Sequence, residues 1–198
     1  MKYFAQSLII FSLGTSSLIA SDISLDSIGI NVGVANSNFH QTNQNGTIIL
    51  GNEPEETFSS YELYGTLKQE LLNMKPTLSY TYSSNDELKH QYLLVGLTKY
   101  YKLTKASLYA GLLGGYGELR WKYNPLNNSK SNDYTSTSLL GGIQAGIEYP
   151  ITNSLAFNLN TKALYHNYDA QLNPNNIATA ELSHNTTTSI AVGMKYSF

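Results

Sequence analysis

The sequence predicts an all-β fold: an eight-stranded antiparallel up-and-down transmembrane β-barrel, preceded by a signal peptide. Three observations carry this expectation. Charged residues form 13% of the 198-residue chain, against roughly 25% in an average soluble domain, so its outside is not built for water everywhere. Mean hydropathy is nonetheless −0.24, which excludes a bundle of apolar helices and suits strands alternating apolar with small polar residues. Tyrosine occurs 16 times, beyond the needs of a core, and its dry ring and wet hydroxyl favour a membrane interface.

The elements follow in order. Lys2, a short apolar run over residues 8–13 and small residues before Asp22 read as an export signal over 1–21. Gly14, Thr15, Ser16 and Ser17 interrupt the run, which is too short for the roughly 20 apolar residues of a membrane helix. Residues 22–198 form the barrel domain, where the apolar period is two. The first strand sets Ile28, Ile30, Val32 and Val34 against Ser27, Gly29, Asn31 and Gly33. The second, near 61–71, sets Tyr61, Leu63, Gly65 and Leu67 against Glu62, Tyr64, Thr66, Lys68 and Glu70. Leu63, Leu67, Leu71 and Met74 also suit a helical stripe there, but a closed up-and-down barrel needs the even strand count. The third shows Leu78, Tyr80 and Tyr82; the fourth Leu93, Val95 and Leu97. The fifth sets Tyr109, Leu113, Leu119, Trp121 and Tyr123 against Glu118, Arg120 and Lys122. The sixth opposes Leu139, Ile143, Ile147 and Tyr149 to Gln144 and Glu148, and the seventh Phe157, Leu159 and Tyr165 to Asn158, Lys162 and His166. The last shows Ile190, Val192, Met194, Tyr196 and Phe198 opposite Lys195.

Connectors alternate between short (around 73–76, 102–105 and 150–153) and long (36–60, 83–90, 124–135 and 168–185), the rhythm of tight turns at one barrel end and loops at the other. All five prolines fall in these connectors, where a missing donor does not harm a ladder. Aliphatic residues with Tyr82, Tyr109, Tyr123, Tyr149, Tyr165 and Tyr196 near strand ends form the expected lipid face with aromatic girdles. A lipocalin-like soluble barrel would need a far more charged exterior.

On these residues the chain resembles the small outer-membrane barrels of the OmpA/OmpX type over its whole mature length. The closing segment, with Gly193, Tyr196 and the terminal Phe198, resembles their C-terminal strand, although Ala191 stands where that pattern prefers a polar residue. The resemblance implies the outer membrane and membrane lipid as surroundings. It also implies that Gly193, Tyr196 and Phe198 are read by the barrel-insertion machinery.

The predicted interior holds Glu62, Lys68, Glu70, Glu118, Arg120, Lys122, Glu148, Lys162 and Lys195, near-balanced charges that must pair in a narrow, poorly solvated space. Gly29, Gly33, Gly96, Gly142 and Gly146 point the same way and make room for them. The glycine-rich run 111–117 lies within a strand and lacks the following helix of a dinucleotide fingerprint. His40, His90 and His184 are expected to be solvated beside outer loops, with no metal-binding spacing. His166 has Tyr168 where a lipid A deacylase would carry serine, and there is no Gly-x-Ser-x-Gly elbow. No catalytic residue, cofactor or metal site is assigned. A net charge of −2 offers no basic field for nucleic acid. In the first loop, Ile48, Ile49 and Leu50 are the candidate contact patch for an extracellular protein or matrix. The expectation is a structural or surface-interaction barrel without chemistry; the alternatives are a narrow solute channel and a membrane-embedded lipid hydrolase.

Overall fold

The structure, a computed structural model, describes residues 24–45, 48–52, 55–122, 134–175 and 178–198. The expected signal peptide therefore lies outside the described residues. Nine strands appear among them: β1 (Leu25–Asn45), β2 (Ile48–Asn52), β3 (Glu55–Leu67), β4 (Lys75–Ser84), β5 (Leu88–Lys102), β6 (Ser107–Trp121), β7 (Tyr134–Pro150), β8 (Leu155–Asn175) and β9 (Ala178–Ser197). All pairs are antiparallel, each strand of the barrel meets its sequence neighbour, and β1 pairs with β9 to close the ring. Because β2 continues the line of β3 against β1, the barrel has eight walls. The run 61–71 is a strand only to Leu67, and no helix intervenes.

The register fixes the shape. From Ile28 the lateral partners are Gly65, Leu78, Val95, Gly114, Gly141, Tyr165 and Thr186, returning to β1 at Asn38, ten residues further on. For eight strands that stagger tilts each by about 40° to the barrel axis. The tilt leaves a lumen just wide enough for side chains to fill. Phe198 N–H donates to the Asp26 carbonyl (3.0 Å) and Ser197 N–H to that of Ser154 (2.8 Å), so the final residues are bonded into the wall.

Outward, Ile28, Ile30, Val32, Val34, Leu63, Val95, Leu112, Ile143, Ile190 and Val192 are all exposed. A continuous apolar belt of this kind is foreign to a soluble monomer. Tyr61, Tyr116 and Tyr165 border it at one end, and Tyr101, Tyr149, Tyr196 and Phe198 at the other, giving the two girdles of a membrane barrel.

Three expectations about connectors fail. The stretches 36–60 and 168–185 are largely strand, not loop: β1 pairs with β9 up to Asn45, and β8 with β9 up to Asn175. Backbone pairing, not an apolar face, holds these polar segments in a sheet, since their Asn, Gln and Thr backbones satisfy one another. The stretch 83–90 is a tight turn, because the Asn85 carboxamide accepts the N–H groups of Glu87 (2.9 Å) and Leu88 (2.7 Å). Prolines 76, 150 and 174 lie within strands, all three near strand ends, where a donor is dispensable. Residues 124–133 of the remaining long connector lie outside the described residues.

Candidate functional site

Two features distinguish this barrel: what fills the lumen, and what rises above it. The lumen is layered. Toward the short-turn end, Lys162 pairs with Glu62 and Lys195 with Glu148, all four largely buried. Asn31 donates to Glu62 (2.7 Å), Asn158 to the Tyr64 hydroxyl (2.7 Å), Asn160 to that of Tyr109 (2.8 Å) and Gln144 to Thr98 (2.8 Å). The Lys195 ammonium also lies 5.1 Å from the centre of the Tyr100 ring. Between these groups is a cavity of about 20 Å³, room for one or two waters. A middle layer is apolar: Tyr92, Leu94, Leu113, Leu140 and Leu164. Beyond it Phe58, Leu88, Leu119, Trp121, Tyr168 and Leu182 form a second buried cluster.

Three histidines complete that outer plug. His90, His166 and His184 are fully buried: His166 follows its inward parity, whereas His90 and His184 are not solvated as expected. The His166 and His184 rings stack with centroids 4.7 Å apart, and His90 meets them edge-on at 5.5 and 5.9 Å. His166 donates from Nδ1 to the His184 carbonyl (2.9 Å), which leaves Nε2 to accept from the Thr187 hydroxyl (2.9 Å). His90 Nε2 shares a hydrogen bond with the Tyr168 hydroxyl (3.0 Å). Neither ring nitrogen of His184 has a partner among the described residues. The cluster sits level with outward-facing Gln91, Glu118 and Asn167, beyond the apolar belt. Burial pushes the pKa of His166 down to about 4 and that of His184 to about 3, the latter helped by His166; burial also lowers His90. These are neutral rings at physiological pH. Stacked, they aim no shared point at a metal, and no metal-binding group occurs among the described residues.

Of the nine charges assigned to the interior, Glu62, Glu148, Lys162 and Lys195 are there, sorted into two pairs. The others are corrected. On β6 the faces are reversed: Tyr109, Leu113, Leu119 and Trp121 are buried inside, while Leu108, Leu112 and Tyr116 face out. Glu118 and Arg120 share that outward face; Gln91 donates to Glu118 (3.0 Å), and Lys122 reaches Ser84 (2.9 Å) and the Asn85 carbonyl (2.6 Å). They lie past Tyr116, where the belt has ended, so facing outward places no charge within the apolar belt. Missed in the sequence was the inward spacing of Gly115 and Gly117, over which Leu94 and Tyr92 pack. Lys68 and Glu70 lie in the exposed turn after β3. Tyr109 leaves the girdle with its strand, and Tyr123 lies outside the described residues.

Above the lumen, β2, β1, β9 and β8 continue as a sheet after the β4–β5 turn has closed. Residues 39–45 of β1 pair with β9 and, from Gln41, with β2, adding roughly 20 Å along the strand. Among the described residues this wall stands on one side of the mouth. The β7–β8 ladder ends at Gly141 and Tyr165; above it, Ser138 and Ser136 hydroxyls accept the N–H groups of Asn167 (2.9 Å) and Asp169 (3.1 Å). The backbone of Ile48, Ile49 and Leu50 forms β2 at the edge of the wall; their side chains lie outside the described set. Gly193 faces the lumen, and Tyr196 and Phe198 face outward with rings edge-on at 5.4 Å.

The fold can now be placed among known ones. Neisserial surface protein A superposes with a TM-score of 0.58 at 12% identity, over 86% of this chain and 97% of that one. This chain has the fold of a small outer-membrane β-barrel. OprG of Pseudomonas aeruginosa (TM-score 0.48, 11% identity, 87% and 97% covered) and the N-terminal barrel domain of OprF from the same organism (0.46, 11%, 88% and 100%) are further matches. No protein-family model and no curated protein sequence matches the chain.

Proposed function

We propose that this chain is an outer-membrane barrel with a closed lumen, acting as a structural and surface-interaction protein through its sheet wall. The observation that supports this reading is the filled lumen: ion pairs below, an apolar layer in the middle and the aromatic–histidine plug above. Ions crossing it would have to displace packed apolar side chains. The long hairpins, and so the wall, belong at the extracellular end of such a barrel. A hydrolase reading has little support here, since His166 points into the plug while Asp169 is exposed on the opposite face of β8. Planar-bilayer recording with the purified, refolded chain tests the proposal. A silent bilayer with verified insertion is expected; steady ohmic conductance would replace the closed-barrel reading with that of a solute channel.

A further inference from the structure

The short-turn end of the barrel is electrically lopsided. The β3–β4 and β5–β6 turns and their strand ends carry Lys68, Lys75, Lys99, Lys102 and Lys105, whereas the turn 151–154 carries no charged side chain. Lys75 is paired with Asp26 (2.7 Å). Among the described residues no carboxylate pairs with Lys68, Lys99 or Lys102. Lys99 Nζ donates across to the Asn73 carbonyl (2.7 Å), so the two turns share one basic rim, offset by exposed Glu70 and by Asp26, which Lys75 already pairs.

Directly above this rim the outward belt is grooved. Gly65 has no side chain, and Ile28, Leu63, Leu67, Leu78 and Leu93 border a depression of about 230 Å³ with an almost wholly apolar lining. A third observation falls in the same place. Leu72 and Asn73, at the tip of the β3–β4 turn, have φ of 54° and 58°, and Leu72 is 77% exposed. Two central residues with positive φ suit Asn-Gly or Asp-Gly, not leucine. In water, an exposed leucine in that conformation gains nothing; at a lipid interface it has a partner.

We propose that groove and rim form one binding site for an anionic phospholipid of the inner leaflet. Its acyl chain lies along the Gly65 groove and its headgroup phosphate among Lys68, Lys99 and Lys102, with Leu72 dipping into the interface beside it. Charge complementarity selects this occupant, because a zwitterionic lipid offers the same chain and phosphate but cancels the attraction with its own cation. The site rests on the reading that the apolar belt is embedded in a membrane.

The test uses the whole refolded chain in detergent, titrated with phosphatidylglycerol or phosphatidylcholine, with retained lipid counted by native mass spectrometry. One phosphatidylglycerol is expected to stay bound at concentrations where phosphatidylcholine does not. Replacing Lys68, Lys99 and Lys102 by glutamine should weaken retention by about fivefold per lysine. Gly65→Leu, whose Cβ would meet only Leu25 Cδ1 at 3.2 Å and the Ser27 carbonyl at 3.7 Å, fills the groove and should weaken retention with the charges intact. Gly141→Leu, on the far side of the belt with nothing within 4 Å of its Cβ position, should leave retention unchanged. Equal retention of the two lipids, or indifference to both the lysine and the Gly65 changes, overturns the proposal. Folding of every variant is verified by its heat-shifted mobility after insertion into phosphatidylcholine vesicles. A wild-type chain that does not insert there would refute the membrane reading itself, a result separate from lost selectivity.

Discussion

Toward the short turns, the lumen is filled by Glu62, Lys162, Glu148 and Lys195 with the amides that serve them; toward the long hairpins, by Phe58, Leu119, Trp121 and three histidines. Both halves fill a tube of the same width. The first relies on matched charges, each expensive if left alone. The second relies on shape and on keeping three titratable rings neutral. Defects in the two halves should therefore behave differently, and measurements can separate them.

The largest effect is expected from breaking one ion pair. Glu62→Gln leaves the Lys162 ammonium buried without its partner and should cost about 3–5 kcal/mol in urea-unfolding titrations in vesicles. Adding Lys162→Met should recover most of that loss; no recovery would mean that the pair is not an isolated unit. In the outer half, Trp121→Ala should cost about 3 kcal/mol through the cavity it leaves, with loss of the near-ultraviolet circular dichroism that a fixed indole produces. The response to acid is spread over several pH units, so the change within any one unit is smaller. His166 and His184 titrate lower in the folded barrel than the free value of 6.5, so the unfolded chain binds more protons between pH 6.5 and about 4. Stability is complete above pH 6.5 and falls as the pH drops through that window, by about 1.4 kcal/mol per pH unit for each histidine. His184→Phe should flatten the slope, and an unchanged slope would locate the acid response elsewhere. The smallest is Leu72→Gly: relief of a left-handed leucine is offset by loss of its contact with the interface and by the added freedom of glycine, so stability in the same unfolding assay should move by less than about 1 kcal/mol.

The strand count, the closing β1–β9 pair and seven of the eight wall faces were legible because those strands each carry one apolar outward face, and alternation records that directly. β6 was misread because both of its faces are apolar: Leu112 and Tyr116 meet the belt, while Leu113 and Leu119 meet the plug. Period two then marks two faces without saying which is inside. The aromatic–histidine plug was hidden for a related reason. His90, His166 and His184 lie on three strands, and only the register brings their rings together. The wall was hidden by its polarity, since Asn- and Gln-rich stretches read as loops unless a neighbouring strand is known to pair with them.

Among the described residues the wall is joined to its neighbours by continuous ladders only near its base. On one flank the β3–β4 ladder ends at Ser59 and Ser84; on the other, two serine hydroxyls stand in for the β7–β8 ladder. A closed ring resists a sideways push around its full hoop, but a ring cut on two sides becomes a spring clip. Force on the wall can bend it outward without parting any of its own backbone ladders. The strain is then carried by the two serine bridges and by the packing of Leu182 and Tyr168 in the plug.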